Sequence, residues 1–436
     1  MKIFPLKRVT PTLALIAGGL PGWLAIAELL ADPAVRRWSD VLLGLSEVAA
    51  LLGAGLFAAS FVLMLRVGWL ARAFSGLDRL YFAHHLTGLS AFLSLLLHPV
   101  ALGMGHLLAG DGALALAATV PSPGRPALFI GWIALLWLMA MLLASFHARL
   151  AYASWKWLHV TSGLAFLLAL GHIVMVRPSF GWGHMLLAPW AAMGVAAFAY
   201  RALIEHGRAE SRRYIVAEVT HLGDRVVELG LKPVDRPLAF EPGQFVFTAF
   251  DAQPGYHGCG EYHPFTIVSR PGEPLMRLAV KALGDCTTRM QALQPGVIAR
   301  VQGPFGAFLR LAQADRPQVW IAGGIGITPF LSMLHSLADT GPPIDLYYAA
   351  AGRADATWLG QIERVVRRLP RLRLITAFAD RGEILSADRI AANSGPLSGK
   401  EFFMCGPPSM VRDLSGQLRA RGVPSDDIHA ERFDLR

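Results

Sequence analysis

Six apolar stretches of about 20 residues, divided by short polar loops, fill the first half of this chain. Each is long enough to cross a bilayer as a helix. They run from about Thr12 to Leu30, Val41 to Leu65, Tyr81 to Leu107, Ala127 to Ser145, Trp155 to Val176 and Met185 to Ile204. Charge follows the same division: residues 1–207 hold 13 of the 40 Lys+Arg and 7 of the 31 Asp+Glu, so most charged residues lie beyond them. A single water-soluble globule is excluded. The opening MKIFPLKR and its apolar run read as a retained first span, since the run is long and has no convincing A-x-A cleavage site.

The net charge of +9 sits mainly in this apolar half, where loop Lys and Arg set topology. With the N-terminus inside, twelve cations fall on the inner segments and four (Arg36, Arg37, Arg125 and Arg177) outside. That bias predicts a multi-pass cell-membrane protein with both termini cytoplasmic. Nothing in it argues for a nucleic-acid partner. Cys259, Cys286 and Cys405 are too few for a disulfide framework or a four-Cys cluster, and no C-x-x-C-H haem attachment occurs.

Beyond a basic linker the texture changes twice. Residues 208–313 carry short runs such as YIVAEV, QFVFTAF, RLAVKAL and VIARV, which predict an antiparallel β-barrel. Residues 314–436 alternate apolar strands (VWIAG, IDLYYAA, LRLITAF, EFFMCG) with helical segments, which predicts a parallel α/β domain. The fold class is therefore a six-helix transmembrane bundle, a β-barrel and a parallel-sheet domain in series.

Nine of the 14 histidines lie in residues 1–207. In the third span His84 and His98 are 14 residues apart, and in the fifth His159 and His172 are 13 apart. Both intervals are close to four turns, about 20 Å, so each pair keeps to one helix face. Side by side, the spans would offer His84 with His159 at one depth and His98 with His172 at another. Two bis-His b-type haem sites would have this form. Interhelical hydrogen bonding is the plain alternative, proton relay in a nucleotide-sensing transporter a third, and His85, 13 residues from His98, competes with His84.

In the soluble half, EPGQF (241–245) precedes HPFTIVS (263–269) and LGDCTTRM (283–290). Thr266, with His263, Pro264 and Phe265, could flank an isoalloxazine, and Gly284, Thr287 and Thr288 stand where a helix start would favour a pyrophosphate. VWIAGGIGITPFLSML then reads as strand, glycine turn and helix: Gly323, Gly324 and Gly326 permit close backbone approach, and Thr328 is placed as a cap. A second glycine turn, FFMCGPPSM, brings Cys405 and Gly406 to a strand end, although Cys405 could equally be a small buried residue.

In this order the motifs resemble the ferric reductase and NADPH oxidase superfamily, in which a six-helix di-haem domain is fused to a ferredoxin-NADP reductase-like module. LDRLYFAH resembles the family's entry into its third helix and favours His84 over His85. HPFT resembles its flavin motif, GDCT its flavin-phosphate motif, GGIGITPF its nucleotide loop and MCGPPSM the loop whose Cys approaches the nicotinamide. The stacking aromatic would fall on Phe433, here followed by three more residues. The resemblance implies FAD, two haem b and NADPH or NADH, with electrons leaving to an acceptor on the opposite face: ferric iron or a redox partner, with dioxygen and superoxide as the alternative. Glu47 would lie near the outer haem, and Arg353, after IDLYYAA, could pair with a 2′-phosphate and favour NADPH.

Overall fold

The computed structural model describes residues 11–65, 67–74, 77–146, 152–176, 181–202, 211–223, 225–253, 256–306, 308 and 315–431. The chain divides into two compact units, Met1–Phe74 with Arg79–Gly207, and Ser75–Asp78 with Arg208–Arg436.

The first unit is helical throughout: α1 (Pro11–Gly18), α2 (Leu20–Ala31), α3 (Trp38–Leu63), α4 (Gly68–Ala73), α5 (Leu77–Leu108), α6 (Gly112–Thr119), α7 (Pro126–Phe146), α8 (Tyr152–Val160), α9 (Ser162–Val176) and α10 (Trp182–Tyr200). A helix satisfies all its backbone groups internally, as a lipid-exposed segment must. Among the described residues five helices are long and apolar enough to cross a membrane, counting α8 and α9 as one span, Ser154–Val176. The first expected span is two helices, α1 and α2, bent by 56°. Pro21 stands at the start of α2, where its missing N–H costs nothing, and a proline restricts the backbone just before it. At the other ends polar side chains start helices: Asp40 accepts from the Arg37 N–H at 3.0 Å, and Asp111 from the Leu114 N–H at 2.9 Å.

Packing in this unit centres on Leu56, Phe57, Ala58, Ala91, Leu138, Met141, Ala165 and Phe166. Phe57 meets Phe166 edge to face at 5.2 Å. Ala91 lies seven residues from both His84 and His98, and Phe166 lies between His159 and His172. This apolar cluster therefore falls at the depth between the two histidine pairs.

The second unit begins with six strands: β1 (Arg212–His221), β2 (Val226–Pro233), β3 (Phe245–Phe250), β4 (His263–Thr266), β5 (Met276–Lys281) and, after the short helix α11 (Asp285–Arg289), β6 (Ile298–Phe305). Their order is β4-β3-β6-β1-β2-β5, all neighbours antiparallel. The edge strands meet through the bridge Ile267↔Leu278, so the barrel is nearly closed. Alternating inward residues fill it, among them Val216, Leu229, Val246, Leu278 and Val301, each exposed by 1% or less.

A parallel sheet follows, with β7 (Gln318–Gly323), α12 (Thr328–Leu334), β8 (Ile344–Ala350), α13 (Leu359–Val366), β9 (Leu372–Phe378), α14 (Ala387–Ser394), β10 (Glu401–Cys405), α15 (Pro408–Ala420) and β11 (Ile428–Glu431). Its order is β11-β10-β7-β8-β9. From β7 the chain winds outward through β8 and β9, then returns to the other side of β7 for β10 and β11. The order therefore reverses between β7 and β10, and such a switch point is where open α/β sheets bind ligands, at the carboxyl ends of the strands. α14 and β11 are additions to the elements expected from sequence.

Candidate functional site

In the membrane unit the structure brings together the four histidines singled out from sequence. The His84 and His159 rings lie 6.0 Å apart between centroids, and the His98 and His172 rings 6.3 Å apart. Two imidazoles sharing one metal ion, with bonds of about 2.0–2.1 Å and roughly 1.1 Å from nitrogen to ring centre, would stand at most about 6.3 Å apart. Both pairs lie within that reach. A Cβ built on Gly88, one turn beyond His84, would meet nothing within 4 Å, which leaves room along this helix. His85 is exposed and its ring contact is with His84, at 5.7 Å.

The hydrogen bonds fix which nitrogen is available. Nδ1 of His84 lies 3.0 Å from the Ser60 carbonyl oxygen, Nδ1 of His98 3.0 Å from that of Ser46, and Nδ1 of His172 2.8 Å from that of Ala127. A carbonyl only accepts, so each Nδ1 carries the proton and donates it. Nε2 is then left with the lone pair, the form of imidazole that binds metal, held by the backbone partner common in metal sites. The Ser46 hydroxyl adds to this by donating to the His98 carbonyl at 3.1 Å while its oxygen lies 2.9 Å from Nδ1. Gly131 makes the His172 position possible, because a Cβ there would sit 2.8 Å from Nδ1. Sequence reading missed Ser46 and Ser60, whose only signal is that they too are 14 residues apart.

Glu47 follows Ser46 in the chain and places Oε1 3.6 Å from Nδ1 of His184, with its own side chain 47% exposed. A half-exposed carboxylate thus stands one residue from the group that holds His98.

In the second unit, β4 consists of HPFT itself, paired so that Thr266 faces Phe245 and His263 faces Thr248 across β3. Thr266 is 4% exposed, and its buried hydroxyl has no hydrogen-bond partner among the described residues. An orphaned hydroxyl at the end of this strand fits a flavin that would supply the missing partner. Behind β4 the EPGQF turn is fastened to α12: the Gly243 N–H donates to Ser332 Oγ at 2.8 Å. Gly284 caps α11 in extended backbone, exposed as is Thr288, whereas the Thr287 hydroxyl accepts from the Leu283 and Gly284 N–H groups at 2.9 and 3.0 Å. Thr287 therefore shapes this turn, and the exposed backbone around it faces outward. Cys286 is held as a neutral thiol, pushed up to about 12 by burial and then by the neighbouring Cys259 thiol.

Both glycine turns occur at the switch point. β7 ends at Gly323 and β10 at Cys405, next to one another in the sheet. A Cβ on Gly326 would lie 2.3 Å from the Cys405 carbonyl oxygen, so only glycine permits the two turns to touch. Cys405 is fully buried, which raises its thiol well above the ordinary range and leaves it a packing group, not a nucleophile. The expected cap at Thr328 is not formed: a 3₁₀ turn, Gly324–Ile327, runs straight into α12, Ile327 takes the cap position, and the Thr328 hydroxyl donates to the Ile325 carbonyl at 3.0 Å. Lys281, at the end of β5, was not anticipated; its Nζ lies 3.9 Å from the Cβ position of Gly324. Arg353 stands just beyond the carboxyl end of β8, with a side chain 60% exposed and 3.4 Å from Glu363. Phe433 lies outside the described residues.

Comparison with known proteins agrees with this division. Residues 49–170 match the family described as ferric reductase like transmembrane component, 211–319 an FAD-binding domain and 320–416 an oxidoreductase NAD-binding domain. Ferredoxin--NADP reductase B of Sorangium cellulosum is 30% identical over 251 residues, 52% of this chain and 99% of that protein. The reductase component of propane 2-monooxygenase from Mycolicibacterium goodii is 28% identical over 48% of this chain, and a flavohemoprotein of Xylella fastidiosa 25% identical over 51%. The chain spans 63% and 58%, respectively, of the length of these last two. Flavohemoglobin from Malassezia yamatoensis, solved with bound FAD and heme, shares a likeness of fold: TM-score 0.51 at 16% identity, covering 95% of this chain and 98% of that one. With its flavin and nucleotide domains behind a ferric reductase like membrane domain, the chain belongs to the ferredoxin-NADP reductase family and has the ferric reductase and NADPH oxidase architecture.

Proposed function

We propose that the chain carries electrons from cytosolic NAD(P)H, through FAD and two b-type haems, across the cell membrane to ferric iron in a soluble complex. The observation that carries this reading is the pair of histidine sites, each at the spacing of two imidazoles on one metal ion, with three of the four Nδ1 atoms tied to backbone carbonyls. The chemistry supplied by the bound groups is hydride acceptance at FAD and one-electron carriage at each haem iron.

The chain's own residues position these groups. His84, His98 and His172 would present Nε2 lone pairs, oriented by the α3 and α7 carbonyls, and His159, stacked on Trp155, would complete the His84 pair. The Thr266 hydroxyl would bond the flavin, and the exposed backbone at Gly284 and Thr288 its pyrophosphate. Gly323, Gly324 and Gly326 would let the nucleotide approach the strand ends, with the buried Cys405 and Gly406 packed behind them. Phe433 would cover the flavin. Glu47, half exposed beside the His98 site, would draw cationic iron species and disfavour an anionic product.

NADPH is the preferred donor in this reading. The Arg353–Glu363 pair is solvent-exposed and such pairs contribute little, so the guanidinium can turn to a 2′-phosphate. Arg353→Ala is expected to raise KM for NADPH about tenfold, the equivalent of roughly 1.4 kcal/mol, and to leave KM for NADH unchanged. Equal effects on both nucleotides would remove the assignment.

The acceptor is tested in membranes given NADPH and FAD. Fe(III)-chelate reduction should persist under nitrogen and resist superoxide dismutase. A rate that collapses in either condition would assign the chain to superoxide production instead.

A further inference from the structure

A cluster of metal-type donors lies in the flavin domain, outside the histidine pairs of the membrane unit. One ligand atom from each of Glu261, His263 and Cys286 lies within 4.8 Å of the other two, and all three residues are half-buried. Glu261 and His263 are two apart on the segment entering β4, a spacing that puts extended-chain side chains on one face. Cys286 reaches them from α11, more than 20 residues further on. The Cys259 thiol, two residues before Glu261, helps to hold Cys286 in its neutral form.

We propose that Glu261, His263 and Cys286 form a zinc site, its fourth position left to water, that clamps the HPFT strand to the GDCT turn. A thiol, an imidazole and a carboxylate suit zinc and are poorly matched to magnesium or calcium, which take all-oxygen shells. Tetrahedral bonds of about 2.0–2.3 Å place donors about 3.3–3.8 Å apart, so closure from the present spacing needs shifts of about 1 Å. The half-buried Glu261 and His263 side chains, whose nearest atoms are 3.9 Å apart, can make that shift by rotation. Zinc would displace the proton that burial keeps on Cys286, since a coordinating thiol binds as thiolate. An ordinary carboxylate–imidazole contact beside a half-buried thiol is the alternative. It gives no reason for zinc to stay bound.

The test uses full-length protein in detergent, FAD-saturated, kept reduced, stripped with chelator and then exposed to zinc chloride in excess magnesium. About one zinc per chain should survive desalting, with X-ray absorption showing sulfur at about 2.3 Å and nitrogen or oxygen at about 2.0–2.1 Å. Cys286→Ser should lose that zinc while the flavin absorbance, which marks a folded domain, is retained. Glu261→Gln, read in the same way, decides the matter if Cys286→Ser lowers flavin content. Undiminished zinc in both variants, a metal shell without sulfur, or a Cys259–Cys286 disulfide in the reduced preparation would overturn the proposal.

Discussion

The two histidine pairs of the membrane unit share one spacing but differ in what holds them. At His98 and His172 both Nδ1 atoms donate to backbone carbonyls, and the Ser46 hydroxyl adds a further contact. At His84 and His159 only His84 is held in this way. Nδ1 of His159 is buried without a hydrogen-bond partner among the described residues, and its ring instead stacks on Trp155 at 5.1 Å and 17°. Spacing alone can be set by helix packing, whereas the tautomer and basicity of a ligand depend on its second nitrogen. The His98 pair is thus built for a fixed electronic state. The His84 pair is asymmetric, with one ligand fixed by hydrogen bonding and the other by ring contact.

Removing a ligand should break this comparison most completely. His172→Ala is expected to abolish the haem at the His98 site while that at the His84 site survives, read as loss of half the haem absorbance. Gly131→Ala comes next, because its new methyl group would lie 2.8 Å from Nδ1 of His172. Either the ring or α7 must move, so the same haem should be lost in part, with the His84 site unchanged. Trp155→Leu acts on the other pair and removes a stack worth about 0.5–1.5 kcal/mol. The low-spin paramagnetic signal of the His84 haem should broaden as His159 gains freedom, with that of the His98 haem unaffected. Ser46→Ala should do least, since the Ser46 carbonyl remains as acceptor. A rise of about 20 mV in one midpoint potential, equivalent to roughly 0.5 kcal/mol for one electron, is expected at the His98 site.

The histidine intervals were legible because both helix period and bilayer thickness are fixed lengths. Their second partners were not, for the carbonyls of Ser46, Ser60 and Ala127 come from residues 24 to 52 positions away in sequence. Any residue type offers a carbonyl, so composition does not mark such a contact. The bend between α1 and α2 illustrates a different limit: hydropathy runs unbroken through Gly18, Gly19 and Leu20 although the helix axis does not. In the nucleotide domain the apolar strands β7 to β9 announce themselves. β11 is only four residues long and includes a histidine and a glutamate, so its pairing with β10 supplies what its sequence lacks. The glycines of the two turns were visible, yet the contact between Gly326 and the Cys405 carbonyl belongs to tertiary structure. So does the grouping of Glu261 and His263 with Cys286, which the barrel's closure brings together.

The most direct test of the central claim is the haem content of the purified full-length chain, read from reduced-minus-oxidised spectra against protein concentration. About two b-type haems per chain are expected in the parent protein and about one in His98→Ala, with reduction of bound flavin by NADPH preserved in both. A parent protein without haem, or a His98→Ala variant that keeps two, would contradict the account.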